Sequence, residues 1–307
     1  MVSVTLSRLP AVIGRLAAMT KMVLIGGRGL LGQDIAKECS RRGWQISVPS
    51  REKVDVTFAG SIEKFLATEE PDTVINCAAF VAVDDAEEER DEAYALNVQG
   101  AENVAKASVN AGARLVHIST DYVFGGDNRE PYDENDATNP LGAYAESKLQ
   151  GEVRVLDVAP EAIVARTAWL YGAGRDNFPL KILRAAISGK SLRLVSDRVG
   201  SPTYTRDLAV ALADMIEKPV PGGIYHVVNE GIASWYDLCR EMIEYVGLEV
   251  DIQPAKNDEY PTPAARPMYS VLSTAKLQKA GIAPLPHWKD AVHRFVDELR
   301  ENGVIEV

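Results

Sequence analysis

The sequence predicts an α/β fold, a doubly wound parallel sheet with a smaller C-terminal α/β substrate domain. Two observations predict it. From Lys21 onward, short apolar runs rich in Val and Ile alternate with amphipathic stretches of helical length, the pattern of strands joined by crossover helices that cover both faces of a parallel sheet. The first of these runs ends in glycines, GGRGLLG at 26–32, where a strand must turn sharply into a helix.

The elements follow in order. KMVLIGG reads as the first strand and LLGQDIAKECSRRG as the first helix, with Gly43 just past its end, where glycine commonly stops a helix. WQISV is the second strand, SIEKFLATEEP a helix and DTVINCAA the third strand. DEAYALNVQGAENVAKASVNAG reads as one long helix and ARLVHIST as the fourth strand. Tyr144 begins the next helix, and EAIVARTAWLYG supplies one further strand. Beyond Gly174, NFPLKILRAAISGK is helical, SLRLVS a strand, GSPTYTRDLAVALADMI a turn leading into a helix, and GGIYHVVN a strand. The Pro-rich QPAKNDEYPTPAARP reads as a long loop of the kind that serves as a binding lid.

These runs divide into a dinucleotide-binding unit, 21–172 plus about 206–231, and a substrate-binding unit, about 173–205 plus 232–307. Residues 1–20 read as a disordered or loosely docked extension. They carry Arg8 and Arg15 and no acid, but Arg15 interrupts an apolar stretch too short to cross a bilayer, and Met19 or Met22 would serve as a start.

Composition excludes several functions. A net charge of -11 over 307 residues, with no long basic run, argues against a nucleic-acid partner, which needs clustered Lys and Arg. Nothing indicates a membrane partner. Cys39, Cys77 and Cys239 lie far apart, and His117, His226, His287 and His293 are scattered, so neither a disulfide framework nor a metal site is expected. A reducing cytoplasm is the simplest compartment.

Glycines at 26, 29 and 32 let a backbone approach a pyrophosphate while a helix N-terminus offers it N–H groups, which makes the N-terminal unit Rossmann-like. The second strand ends without the acid that would hold an NAD ribose; Arg51 and Lys53 stand there, with Arg28 in the glycine turn. Such cations suit a 2′-phosphate, so NADPH is the preferred cofactor. Asp55 follows and suits the adenine side, which leaves NADH possible. The fourth strand ends in Ser119, Thr120 and Asp121, at the edge where a ligand should lie. Tyr144 and Lys148, four apart in GAYAESKLQGE, share a helix face. The ammonium is expected to pull the phenol pKa down towards neutrality, making an acid–base group beside the Thr120 hydroxyl.

Through GGRGLLG, NCAA at 76–79, STDYVFGG and YAESK, the chain resembles the extended short-chain dehydrogenase/reductases. RTAWLYG, NF at 177–178, GSPTYTRDLA, GIYHVVNEGIASW and ARPMYSVLSTAKL narrow the resemblance to the dTDP-4-dehydrorhamnose reductase family, from about residue 21 to the end. The resemblance implies NADPH-dependent reduction of the 4-keto group of dTDP-4-dehydro-L-rhamnose. Thr120 would orient the carbonyl, Tyr144 donate the proton, and Lys148 tune it while holding the nicotinamide ribose. Gly26, Arg28, Gly29, Leu30, Leu31, Gly32, Arg51, Asp55, Cys77, Ala78, Ala79 and Asn97 would line the cofactor, Asn97 serving helix architecture and water positioning. Asp121, Val123, Phe124, Trp169, Asn177 and Arg198 would line the sugar pocket, and Arg266 would meet the diphosphate.

Two departures from the family pattern bear on sugar or nucleotide preference. Arg198 follows Asp197 where a glutamine is common, and Ala82 precedes Val83 and Asp84 where a threonine often stands. A 4,6-dehydratase resembles Thr-Asp-Glu at the strand end, but Tyr122 follows Asp121 here; the downstream motifs do not resemble a 4-epimerase. Three readings therefore stand beside one another: the rhamnose reductase, a reductase of another nucleotide-linked 4-keto-6-deoxy sugar, and a non-catalytic NADP-binding subunit like that of methionine adenosyltransferase. A homodimer is compatible with the family, some of whose members hold magnesium at the interface; no ligand set for it is identified in this sequence.

Overall fold

The structure, a computed structural model, describes residues 20–218 and 220–306. The expected N-terminal extension, but for residue 20, lies outside the described residues. The first half comprises β1 (Lys21–Ile25), α1 (Leu30–Arg41), β2 (Gln45–Ser47), α2 (Ala59–Glu69), β3 (Thr73–Asn76), α3 (Arg90–Tyr94), α4 (Ala101–Asn110), β4 (Arg114–Thr120), α5 (Ala143–Val158) and β5 (Ile163–Thr167). Then follow β6 (Leu170–Tyr171), α6 (Phe178–Ile187), β7 (Leu192–Val195), β8 (Val199–Gly200), β9 (Thr203–Tyr204), α7 (Thr205–Glu217) and β10 (Gly223–His226). The last part holds β11 (Asn229–Glu230), β12 (Ala233–Ser234), α8 (Trp235–Val246), β13 (Ile252–Ala255), α9 (Ala275–Lys279), β14 (Leu285–His287) and α10 (Trp288–Glu301).

Six strands form one parallel sheet in the order β2-β1-β3-β4-β5-β10. Its residues alternate between two apolar layers, as the period of two along a strand requires. Met22, Leu24, Val116, Ile163 and Ala165 pack with Leu31 and Ile35 of α1 and Leu208, Leu212 and Met215 of α7. Val23, Ile25, Val74, Leu115 and Val164 pack with Ile62 and Leu66 of α2, Val104 of α4 and Val155 of α5. Full burial of each such Val, Leu, Ile or Met side chain contributes about 1.5–3 kcal/mol. The chain leaves β1 towards one edge and returns at β3 on the other side, so the sheet order reverses between them, and a crevice opens at their carboxyl ends.

A third apolar core joins Leu180 and Leu183 of α6, Leu192 and Leu194 of β7, Leu238 and Met242 of α8, and Val292, Phe295 and Leu299 of α10. Local chemistry sets α8 within it. The Ser234 hydroxyl accepts from the Asp237 N–H, the Asp237 carboxylate accepts from the Ser234 N–H, and Gly247 ends the helix at φ 83°, a reciprocal cap at one end and a left-handed stop at the other.

Three expectations change. The run 161–172 is two strands, because Trp169 takes φ 46° and breaks it between β5 and β6. The long helix is interrupted by a π-helical turn at Ala95–Gly100. The expected Pro-rich loop begins as strand, since β13 pairs with β7 in parallel.

Candidate active site

A cleft of about 990 Å³ opens over the carboxyl ends of β1, β3, β4 and β5. The glycine turn forms one wall. Gly26 has φ 75°, and a Cβ there would lie 2.7 Å from the Ala78 nitrogen, while a Cβ on Gly32 would lie 2.5 Å from the Gly27 Cα. Only glycine permits either approach. Gly29 donates its N–H to the Gly26 carbonyl at 2.9 Å and stands at the N-cap of α1, which has no side-chain cap. The first-turn N–H groups therefore face the cleft without a side-chain acceptor, as a pyrophosphate site requires. This wall fits a dinucleotide.

Arg28 and Arg51 are both exposed, and their charges help hold the Glu52 carboxyl below its ordinary range, after the Ser50 hydroxyl and the backbone. The two cations thus converge at that end of the cleft. Asp55 lines it too, but its Oδ1 accepts from the Thr57 N–H at 2.9 Å and the Thr57 hydroxyl at 2.7 Å. Cys77, Ala78 and Ala79 run along the floor with Leu30 and Leu31; burial pushes the Cys77 thiol up to about 12, so it stays protonated.

Thr120, Tyr144 and Lys148 meet at the end of β4. Thr120 is 6 % exposed, and its Oγ accepts the Tyr122 N–H at 3.2 Å. Its hydroxyl lies beside the Tyr144 phenol and moderates a larger upward shift caused by burial. The phenol is thus held neutral, contrary to the expected drop towards neutrality. The reason is visible in Lys148, whose Nζ donates to the Ile118 carbonyl at 2.7 Å, and whose own pKa burial lowers to about 8 against the opposing charge of Glu152. A neutral phenol is the protonation state that a proton donor needs.

Asn97 does not line the cleft. It is 1 % exposed; its Oδ1 accepts the Phe80 N–H at 2.8 Å, and its Nδ2 donates to the Phe80 carbonyl at 3.2 Å and Ser147 Oγ at 2.9 Å. Ser147 Oγ in turn donates to the Tyr144 carbonyl at 2.8 Å. Asn97 therefore ties the loop after β3 to the turn of α5 that carries Tyr144, and the π-helical turn brings it there. Its amide is spent on architecture rather than on the cofactor.

Other sugar-pocket expectations divide. Asp121 and Trp169 line the cleft. Val123 and Phe124 are fully buried, Phe124 stacked 4.2 Å from Tyr132, and belong to a small core behind the site. Asn177 reaches the cleft wall, but its side chain caps α6, accepting the Leu180 N–H at 3.2 Å and donating to the Gly172 carbonyl at 2.6 Å. Arg198 donates to Asn257 at 3.2 Å. Arg266 makes a two-point pair with Asp84 at 2.9 and 2.7 Å. These two arginines stand beside the cleft around Tyr122 rather than in its lining.

Sequence reasoning gave no role to Trp235 and Phe178. Trp169 stacks on Trp235 at 4.2 Å, and Phe178 meets Trp235 edge-on at 4.8 Å, making an aromatic wall of the cleft. The left-handed backbone at Trp169 is uncommon for a bulky residue and is held by this stack. The Ser119 and Thr167 hydroxyls also line the cleft, buried and without partners.

The family model described as the RmlD substrate binding domain matches residues 20–301. A dTDP-4-dehydrorhamnose reductase of Mycolicibacterium smegmatis is 40% identical over 90% of this chain and 85% of its own length. The spore coat polysaccharide biosynthesis protein SpsK of Bacillus subtilis is 39% identical over 91% of this chain and 98% of its own. A crystal structure of dTDP-4-dehydrorhamnose reductase from Bacillus anthracis in complex with NADP superposes with a TM-score of 0.88 at 35% identity, covering 92% of this chain and all of that one.

Proposed function

The chain belongs to the RmlD substrate binding domain family, and from that premise we propose that it reduces the 4-keto group of dTDP-4-dehydro-L-rhamnose to give dTDP-L-rhamnose, with NADPH preferred over NADH. The observation that carries the reading is the meeting of the Thr120 hydroxyl and the neutral Tyr144 phenol at one strand end, beside Lys148 and in the cleft that the glycine turn also lines.

Residues 21–172 with 206–231 form the dinucleotide unit in this reading, and 173–205 with 232–307 the substrate unit. Gly26, Gly29 and Gly32, with the N–H groups of Leu30 and Leu31, would hold the pyrophosphate, and Arg28 and Arg51 the 2′-phosphate. Lys148 would hold the nicotinamide ribose, with Cys77, Ala78 and Ala79 along the floor. When bound, NADPH supplies the hydride. Thr120 orients the carbonyl and steadies the oxyanion that develops on it. Tyr144 donates the proton that converts that oxyanion to a hydroxyl. Trp169 and its stacking partner Trp235 would border the apolar side of the sugar ring, and Asp121 its polar edge. Arg198 and Arg266 stand where a diphosphate would reach them, and Arg266 would exchange Asp84 for it.

The test is NADPH oxidation with dTDP-4-dehydro-6-deoxyglucose, with and without the 3,5-epimerase that makes the L-lyxo isomer. Oxidation that requires the epimerase, and is faster with NADPH than with NADH, is expected. Oxidation without the epimerase would assign the chain to another deoxysugar. No oxidation in either arm, with NADPH tightly bound, would favour a non-catalytic subunit.

A further inference from the structure

Thr120 has one hydroxyl proton and two claims on it. Its Oγ donates to Asp121 Oδ1 at 3.2 Å, whereas the proposed reaction needs that proton on the carbonyl oxygen. One acceptor site of the same oxygen is already taken by the Tyr122 N–H. Asp121 is 2 % exposed, and its Oδ2 has no partner. An ionised carboxylate only accepts hydrogen bonds, so it keeps the Thr120 proton; a neutral carboxyl brings a proton of its own.

We propose that Asp121 sets the direction of the Thr120 hydroxyl, as a positioning residue for the reduction. As a neutral acid it donates to Thr120 Oγ, whose two acceptor sites are then filled by Asp121 and Tyr122, and the Thr120 proton turns to the substrate oxygen. As a carboxylate it withdraws that proton from the reaction. Only O–H orientation changes; the bond-making steps remain the hydride transfer and the Tyr144 proton transfer. The inference rests on the reductase reading of the site.

The groups around Asp121 allow both forms. Burial opposes the carboxylate and wins, raising the carboxyl to about 7, against the Thr120 hydroxyl, its own backbone N–H, the Arg198 cation and the nearby Ser270 hydroxyl, whose Oγ makes no hydrogen bond. The Tyr122 and Tyr144 phenols on the other side are neutral and themselves shifted upward by burial. Arg266 lies behind Tyr122 with its charge paired to Asp84. Asp121 therefore changes form within the ordinary working range of an enzyme.

The test compares kcat of the wild type and Asp121→Asn, both substrates saturating, at about pH 6 and about pH 7.5. The asparagine amide donates at either pH. The wild type is expected to lose about three- to fivefold as pH rises, and the variant less than about 1.5-fold, because proton-dependent orientation has been removed. Over that interval Lys148, near 8, contributes little. An equal fall in both proteins, or a flat wild-type profile, overturns the proposal. Infrared difference spectra of the NADPH-bound wild type supply a second readout that needs no turnover. A neutral carboxylic C=O band present at about pH 6, lost above about pH 8 and absent from Asp121→Asn is expected; its absence from the wild type overturns the proposal. Failure of the reductase reading would instead appear as no NADPH oxidation by the wild type at any pH, and the band would still decide the state of Asp121.

Discussion

Replacing Tyr144 with phenylalanine is expected to lower kcat by about 10²–10⁴, the range removed with a positioned general acid, while NADPH affinity changes by less than about threefold. The separation follows from the geometry. The ring meets Tyr122 edge-on at 6.2 Å, a contact that phenylalanine keeps, and the turn is fixed by Ser147 and Asn97 through the backbone and the neighbouring side chain. Only the hydroxyl is lost, and with it the proton donor. Steady-state turnover and fluorescence titration with NADPH measure the two quantities. Turnover within about tenfold of the wild type would remove Tyr144 from the role of acid.

Replacing Arg166 with methionine is expected to destabilise the fold by about 3–5 kcal/mol, the cost of leaving a buried charge without its partner. Arg166 Nε and Nη2 reach both oxygens of Glu152 at 3.0, 3.2 and 2.7 Å, with the side chains 3% and 2% exposed. The Arg166 guanidinium also lies 5.1 Å from the centre of the Phe124 ring. Changing Glu152 and Arg166 to methionine together should recover most of the loss, since an apolar pair leaves no charge stranded. Urea unfolding of the single and double variants measures this. A single-variant loss below about 1 kcal/mol would mean that water or a rearranged partner solvates Glu152. Glu152 stands one turn after Lys148 and favours its charged form, so this pair also connects the helix that carries Lys148 to β5.

Local chemistry makes much of this legible in the sequence. The glycine turn could be read because Gly26 and Gly32 are constrained by contacts within one strand–turn–helix unit. The sheet strands could be read because most of them are short Val- and Ile-rich runs buried on both faces. The Tyr144–Lys148 spacing likewise placed both groups on the cleft face of one helix. Their electrostatics were not legible, because the Ile118 carbonyl that binds Lys148 lies on another element and burial is a property of the assembled site.

The remaining differences also come from distant partners. Trp169 and Trp235 are separated by 66 positions, a difference of their residue numbers, and nothing in either segment announces that the rings stack. The π-helical turn at Ala95–Gly100 arises where Gly151 of α5 lets the helix approach the Asn97 carbonyl, a close contact between elements that helical periodicity does not report. Val123 and Phe124 follow the site residues directly in sequence, yet the short helical turn at Asp121–Val123 carries them into the core. Adjacency along the chain was a poor guide there.

The central claim is most directly tested by supplying dTDP-4-dehydro-L-rhamnose with NADPH deuterated at nicotinamide C4, using each labelled epimer separately, and reading the sugar product by proton NMR. Deuterium at sugar C4 from one of the two epimers, in a product identified as dTDP-L-rhamnose, is the predicted result; an unreduced ketone with both, or a product without the label at C4, would contradict it.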